Sequence, residues 1–132
     1  MKWLFGDWVM MTRVLLRCYL SPDRPLGPGK IKILESIRDG GSISSAAREM
    51  RMSYRSAWLL VDSMNSQFRQ PVVSTSTGGT GGGSAILTEF GATVIRRYRA
   101  MEQAARKAIS KDLATLERDL KRAPRRTGDT RS

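Results

Sequence analysis

The sequence of 132 residues contains no histidine and a single cysteine, Cys18. Without histidine, the Ser-His-Asp and Cys-His arrangements of nucleophilic enzymes are excluded, together with the usual zinc ligand sets. One cysteine cannot form a disulfide within the chain, which fits a reducing compartment. Asp and Glu are not clustered at the spacing of metal ligands, so we expect neither an enzyme nor a bound cofactor or metal.

Long hydrophobic runs are also missing. The first eleven residues, MKWLFGDWVMM, are weakly similar to a signal sequence, but Asp7, Arg13 and Arg17 interrupt the apolar stretch. A small-residue cleavage site does not follow it, which argues against secretion and against a membrane span. We therefore expect a cytoplasmic protein.

Acidic residues are few: 12 Asp and Glu stand against 23 Lys and Arg, which gives a formal net charge of +11. Such an excess favours a polyanionic partner, either nucleic acid or an anionic membrane surface. A soluble basic protein without a charged partner is the alternative. The length suits one compact domain with an appendage rather than two domains.

The segment 41–65 has the pattern of two short helices joined by a tight turn. Ser42 is a suitable N-cap for a helix that ends near Met50, and Ser53 for a helix that ends near Gln67. On the second helix, apolar residues at spacings of four, three and four form one face: Ala57, Val61, Met64 and Phe68. This layout is typical of a helix-turn-helix whose second helix enters a DNA major groove.

The start of the second helix carries the candidate DNA contacts. Arg55 can bind guanine O6 and N7 with two of its guanidinium nitrogens, and Ser53 with the first backbone amides can bind a phosphate. Ser56 also faces outward, while Tyr54 and Trp58 are candidates for contacts to thymine methyls or sugars. An ordinary helical hairpin with its aromatic residues packed internally is the alternative, and burial of Trp58 is part of it.

The flanking segments predict further elements. Residues 13–20 contain several apolar, β-favouring side chains, which predicts a short strand before a cluster of turn formers. A helix is predicted to begin near Pro28 and to stop at Gly40 and Gly41. After the second helix of the pair, residues 72–77 and 85–87 predict two strands joined by the glycine-rich stretch 78–83, a β-hairpin placed as a wing.

The glycine-rich stretch is not a nucleotide-binding phosphate loop, because no Lys follows Gly83. Residues 71–88 carry no charge, so contacts from a wing must come from backbone amides and hydroxyls. A hairpin that is merely flexible is the alternative. The predicted DNA-contacting set comprises Ser42, Ser44, Ser53, Tyr54, Arg55, Ser56, Trp58, Thr75, Thr77, Gly79, Thr80 and Gly81.

A long helix is predicted from Thr88, with an apolar stripe close to a three–four repeat. This stripe predicts a dimer interface with the same helix of a second copy, formed by Val94, Tyr98, Met101, Ala105, Ala108, Leu113 and Leu116. An amphipathic membrane-binding helix is the alternative, but Glu102 and Asp112 interrupt the basic face and argue against it.

These motifs resemble the N-terminal DNA-binding domain of the ModE family of molybdate-responsive transcriptional regulators. The resemblance rests on Leu26-Gly-Pro-Gly-Lys30, Gly41-Ser-Ile-Ser44, Ser53-Tyr-Arg-Ser-Ala-Trp58, Met64-Asn65, the glycine run from Thr77 and Leu87-Thr-Glu-Phe-Gly91. It covers about residues 27–102.

The resemblance implies a dimeric winged helix related to the LysR type, with Ser53, Tyr54, Arg55 and Ser56 at the groove. Thr80 stands where the wing of such proteins often carries a basic residue. Full-length members carry C-terminal molybdate-binding domains, for which these 132 residues leave no room. We therefore expect no molybdate site within this chain.

Together, these features predict a mainly α fold with a small β-hairpin wing, a winged helix-turn-helix followed by a long C-terminal dimerisation helix. We divide the chain into an N-terminal segment with a short strand (1–25), a winged helix-turn-helix domain (26–91), the long helix (92–120) and a basic disordered tail (121–132). The predicted function is sequence-specific binding of double-stranded DNA as a homodimer at a pseudo-palindromic operator, with regulation of molybdenum-related genes. A winged-helix adaptor that contacts only proteins is the alternative.

Overall fold

The computed structural model describes residues 12–76 and 83–121. Its elements, in chain order, are β1 (Cys18–Ser21), β2 (Arg24–Leu26), α1 (Pro28–Gly40), α2 (Ile43–Glu49), α3 (Tyr54–Gln67), β3 (Val73–Ser76), β4 (Ser84–Leu87) and α4 (Glu89–Arg118). The strands form two separate antiparallel pairs, β1 with β2 and β3 with β4. The predicted mainly helical fold with a hairpin after the paired helices is confirmed, and it is compatible with a winged helix.

The N-terminal strand differs from its prediction over residues 13–20. It is short, Cys18–Ser21, and pairs with β2 in a register that aligns Cys18 with Leu26 and Tyr19 with Pro25. Its length is limited by its partner, since β2 has only three residues before the helix that starts at Pro28. The strand β2 was not predicted, because a proline between two turn-forming segments favours a loop.

The boundaries of α1, α2 and α3 follow the predicted stop and cap signals. Gly41 has a left-handed φ of 76°, and its amide donates to the Ile37 carbonyl at 2.8 Å, which ends α1. The hydroxyl oxygen of Ser42 accepts a hydrogen bond from the Ser45 amide at 3.0 Å and caps α2. Ser53 caps α3 in the same way.

The turn between α2 and α3 is closed by backbone hydrogen bonds. The amide of Met52 donates to the Ala47 carbonyl at 3.0 Å, and the amide of Arg51 donates to the Arg48 carbonyl at 3.1 Å. Arg51 adopts a φ of 56°, a left-handed conformation that a non-glycine residue takes at some cost. The tight turn fixes the direction in which α3 leaves α2.

The core lies between α1, α2, α3, the β3–β4 hairpin and the first part of α4. Ala46 and Ala47 are buried, and because their side chains are small, α2 can approach its neighbours closely. Met50 and Met52 pack against the core from the turn. The largest side chains that are fully enclosed are Tyr98, Ile31, Ile33, Leu34, Ile37, Met64, Val72 and Val73.

The last helix begins on the hairpin and then leaves the core. The hydroxyl of Thr88 accepts from the Gly91 amide at 2.9 Å and donates to the Pro71 carbonyl at 2.7 Å, so it caps α4 and holds it to the start of the hairpin. Beyond Glu102, side chains of α4 are exposed or only half-buried. Burial of the first three turns in the core anchors the helix.

Two residues predicted for the dimer interface lie in the interior of the chain itself. Val94 and Tyr98 are buried in the core, and the Tyr98 hydroxyl donates to the Leu16 carbonyl at 2.6 Å. They are therefore covered within one copy, and the part of this apolar stripe that is open to a second copy begins at Met101. Along this remaining stripe, Met101, Ala108 and Leu116 are exposed, while Ala105 and Leu113 are half-buried.

Candidate nucleic-acid interface

The helix α3 presents one face to the core and the opposite face to solvent. Ala57, Val61 and Met64 are buried, as their spacing predicted. Arg55 and Leu59 are exposed, and because they are four residues apart they lie on the same outward face. The first two turns of α3 thus combine a cation and an aliphatic side chain on a surface free to approach a partner.

The start of α3 is held by its cap. The hydroxyl of Ser53 accepts from the Ser56 amide and donates to the Ser56 hydroxyl oxygen, both at 3.0 Å. The hydroxyls predicted to contact DNA at this point therefore also organise the helix start. Backbone amides in a first helical turn have no intrahelical acceptor, and the helix dipole adds positive potential there, which suits a phosphate.

A cleft of about 420 Å³ separates α3 from the β3–β4 hairpin. It is lined by Ile43, Ser44, Tyr54, Trp58, Thr75, Ser76, Gly83, Ser84 and Ala85. The side chain of Trp58 is 43% exposed, so the alternative in which it is buried in the interior is wrong. The structure therefore brings together Ser44, Tyr54, Trp58 and Thr75 from the predicted set.

The remaining predicted contacts fall in two groups. Ser42 is half-buried and serves as the cap of α2, so its side chain stabilises the helix behind the cleft. Thr77, Gly79, Thr80 and Gly81 lie outside the described residues, between the two strands of the hairpin. The cleft walls that are described carry hydroxyls and aromatic rings and no charged side chain.

Charge is supplied from beside the cleft. Arg48, Arg51 and Arg55 are exposed around the turn and the start of α3, and the acidic residues of the same two helices are Glu49 and Asp62. The local excess of positive charge is small, although the formal net charge of the whole chain is +11 and a helix start favours negative charge. This balance suits a site that orients a polyanion with a few well-placed cations.

The hairpin is tied to α3 by one side chain. The Oδ1 atom of Asn65 accepts from the amides of Val72 and Val73, and its Nδ2 atom donates to the Val73 carbonyl. In the sequence, Asn65 stands out only as part of the family motif, because no local pattern predicts a contact of this kind. These bonds hold the start of the hairpin against α3.

A second tie joins α1 to α4. The guanidinium of Arg99 contacts the carboxylates of Glu35 and Glu102, each at 2.9 Å, and Glu102 also lies 3.7 Å from Arg106. The hydrogen bond to Glu35, followed by that to Glu102, raises the pKa of Arg99. This arrangement was missed in the sequence, since Glu35 and Arg99 are far apart along the chain and neither position has a distinctive pattern.

Leu59 was also missed, although a signal for it exists. The stripe of Ala57, Val61 and Met64 defines the buried face, and Leu59 falls opposite to it. Helical periodicity in the sequence is therefore enough to identify Leu59 as a leucine outside the buried face.

Other kinds of site are not indicated. Within residues 12–76 and 83–121, Cys, Asp and Glu form no group of three or more that could hold a metal ion. None of the helices in the described part of the chain is both long and apolar enough to cross a membrane.

Comparison of the sequence with known proteins finds relatives that share one family name, ModE, or are named as molybdenum-binding proteins. No family model matches the chain. The DNA-binding transcriptional dual regulator ModE of Escherichia coli K12 is 36% identical over 100 residues, which is 76% of this chain and 38% of that protein. The molybdenum transport protein ModE of Azotobacter vinelandii is 39% identical over 93 residues, or 69% of this chain and 34% of that protein.

The molybdenum-pterin-binding protein MopA of Rhodobacter capsulatus is 40% identical over 84 residues, which is 64% of this chain and 32% of that protein. The chain thus spans about a third of the length of the curated relatives that it matches. These three relatives are named as a transcriptional regulator, a molybdenum transport protein and a molybdenum-pterin-binding protein, and none of the three names is that of an enzyme. Over the matched residues the chain belongs to the ModE family, and the predicted resemblance is confirmed.

Proposed function

We propose that this chain is the DNA-reading unit of a transcriptional regulator of the ModE type. It binds double-stranded DNA with the start of α3 in the major groove and the β3–β4 hairpin as a wing, in the manner of a LysR-type winged helix. The observation that carries this proposal is the exposed first half of α3, with Arg55 outward and a hydroxyl-lined cleft beside it.

The cleft suits one strand of the DNA backbone. With α3 in the major groove and the hairpin reaching past the groove edge, the cleft between them would lie over the sugar–phosphate chain. Hydroxyls of Ser44, Thr75 and Ser84 are suitable donors to phosphate oxygens, and the rings of Tyr54 and Trp58 can pack on sugars. These contacts position the protein, while Arg55 reads a base pair.

Two copies acting together at a pseudo-palindromic operator complete the proposal. The exposed stripe of α4 from Met101 to Leu116 offers a surface for a second copy, and a two-fold dimer places two copies of α3 on one face of the duplex. Regulation of molybdenum-related genes is proposed because the relatives are named for molybdenum. Recovery of bound DNA from cells grown with and without molybdate tests that part.

A binding titration with genomic fragments at two salt concentrations tests DNA binding itself. We expect affinity to fall steeply with salt, because cations beside the cleft such as Arg48 and Arg51 would release counterions when they contact phosphates. A chain that binds no fragment at either concentration would instead be a protein-interaction adaptor.

Arg55→Ala tests the position of the groove contact. We expect it to lose about 1–3 kcal/mol of discrimination at one operator base pair. Arg118→Ala removes the same charge from the last turn of α4 and serves as the control. Unchanged specificity in Arg55→Ala, or an equal change in the control, would contradict this docking.

A further inference from the structure

The side chain of Leu59 has no place in the core or in the cleft. It is 45% exposed and lies on the outward face of α3, one turn beyond Arg55. A single exposed leucine is common on protein surfaces. This leucine, however, occupies the face that the proposed function directs into a DNA major groove.

The neighbouring residues define how far this face can enter a groove. Trp58 lies on the flank of α3 that lines the cleft, so it is directed towards the hairpin. Asp62, one turn after Leu59, is exposed on the outward side, and its carboxylate is repelled by phosphates. The reading surface of α3 is therefore confined to its first two turns, and Leu59 lies at the far end of that surface.

Helix geometry relates Leu59 to Arg55. Four residues of α-helix advance about 6 Å, since each residue rises about 1.5 Å. Neighbouring bases along a strand are separated by about 3.4 Å. Two side chains on one face that are four residues apart thus address base pairs about two steps from one another.

The chemistry of the groove then selects the base. The exposed edges of bases in the major groove carry donors and acceptors, and the 5-methyl group of thymine is the apolar feature among them. An aliphatic side chain gains from covering that methyl and loses by desolvating a donor or acceptor. We propose that Leu59 reads a thymine methyl about two base pairs from the base pair that Arg55 contacts, an inference that rests on the proposed DNA binding.

Uracil substitution tests this inference, because it removes the methyl group and leaves the hydrogen-bonding edge unchanged. The full chain is first used to select duplexes from a pool of random sequence. In the selected duplex, each thymine is then replaced by uracil in turn. We expect one thymine in each half-site whose replacement weakens binding about fourfold, the effect of one buried methyl group.

Leu59→Ala assigns that effect to the side chain. We expect the variant to bind thymine and uracil duplexes equally at this position while it keeps the salt dependence of the unmodified chain. Leu20→Ala, which shortens an exposed leucine on β1, should keep the preference for thymine. Both substitutions are at exposed positions, so both variants are expected to fold.

The outcomes separate this inference from the proposed function. A duplex that is selected and bound tightly, but shows no position sensitive to uracil, overturns the role of Leu59 and leaves DNA binding standing. Sensitivity that persists in Leu59→Ala overturns it as well, since another residue then contacts the methyl. Failure to select any duplex overturns both proposals.

Discussion

Asn65 on α3 and Val73 on β3 are joined by hydrogen bonds in both directions. The Nδ2 atom of Asn65 donates to the Val73 carbonyl at 3.1 Å, and its Oδ1 atom accepts from the Val73 amide at 3.3 Å. The same oxygen accepts from the Val72 amide at 2.7 Å. Because Val72 and Val73 are buried, one amide side chain satisfies three backbone groups that water cannot reach easily.

Replacement of Asn65 is therefore expected to destabilise the chain. Asn65→Leu leaves those groups unpaired and should lower the free energy of unfolding by about 2–3 kcal/mol, measured by urea denaturation. Asn65→Asp keeps the acceptor oxygen, but its second carboxylate oxygen faces the Val73 carbonyl oxygen in place of the donor, so it should also lower the free energy of unfolding, by about 1–3 kcal/mol. Ser66→Ala is the control, since the Ser66 hydroxyl bonds only within α3 among the described contacts. Equal losses in Asn65→Leu and Ser66→Ala would contradict the role of this residue.

Gly91 lies where α4 begins against the hairpin. A Cβ atom at this position would overlap the carbonyl oxygen of Val72 and crowd the side chain of Leu87. We expect Gly91→Ala to lower the free energy of unfolding by about 2 kcal/mol, because the backbone at Val72 and the side chain of Leu87 must both shift. Thermal unfolding followed by circular dichroism measures this loss.

Gly29 provides a matched control in α1. A Cβ atom there would meet no atom within 4 Å, and its φ is not in the left-handed region. Gly29→Ala should raise the free energy of unfolding by about 0.4–1 kcal/mol, since it restricts the unfolded chain. A similar response of the two glycines would argue against close packing at Gly91.

Signals that act within a few residues predicted most of the helices. Ser42 and Ser53 cap α2 and α3, and Gly41 ends α1, as each residue type favours. The pairing of Asn65 with the hairpin, or of Glu35 with Arg99, depends on how the helices pack after they form. Contacts across such distances in the chain leave no periodic pattern.

The apolar stripe of α4 illustrates a second feature that the sequence does not predict, which is the surface that covers the stripe. Helical spacing correctly indicates that Val94 and Tyr98 share a face with Leu116, but it does not tell which chain covers that face. The structure buries the first two within the same chain and leaves Leu116 64% exposed. The same stripe therefore packs in the core near the start of α4 and is exposed to solvent near its end.

Charge placed on the open end of that stripe tests the proposed dimer. In the full chain, we expect Leu116→Arg to shift a dimer to monomer in sedimentation velocity, since a buried unpaired guanidinium would oppose association. Ala100→Arg adds the same charge to a different, exposed side of α4 and should leave the dimer intact. A wild-type chain that sediments as a monomer at all concentrations would refute the interface.

The ionisation of Tyr98 is expected to lower the stability of the chain at alkaline pH. Burial, and then the charge of Glu102, raises the pKa of the Tyr98 phenol above its ordinary value near 10. Below about pH 10 the phenol is neutral in both the folded and the unfolded chain, so its contribution to stability is fully present. As the pH rises from there towards the folded-state pKa, only the unfolded chain ionises. The free energy of unfolding should then fall by up to about 1.4 kcal/mol per pH unit.

Tyr98→Phe removes this ionisation and also the hydrogen bond to the Leu16 carbonyl. We expect the variant to lose about 1–2 kcal/mol of stability at pH 8 and to show a shallower decline between pH 10 and 11 in urea denaturation. Tyr19→Phe alters an exposed phenol on β1 and should retain the wild-type decline. If Tyr98→Phe and the wild type decline in parallel, another group must account for the alkaline loss, because linkage makes the slope follow a group whose pKa folding raises.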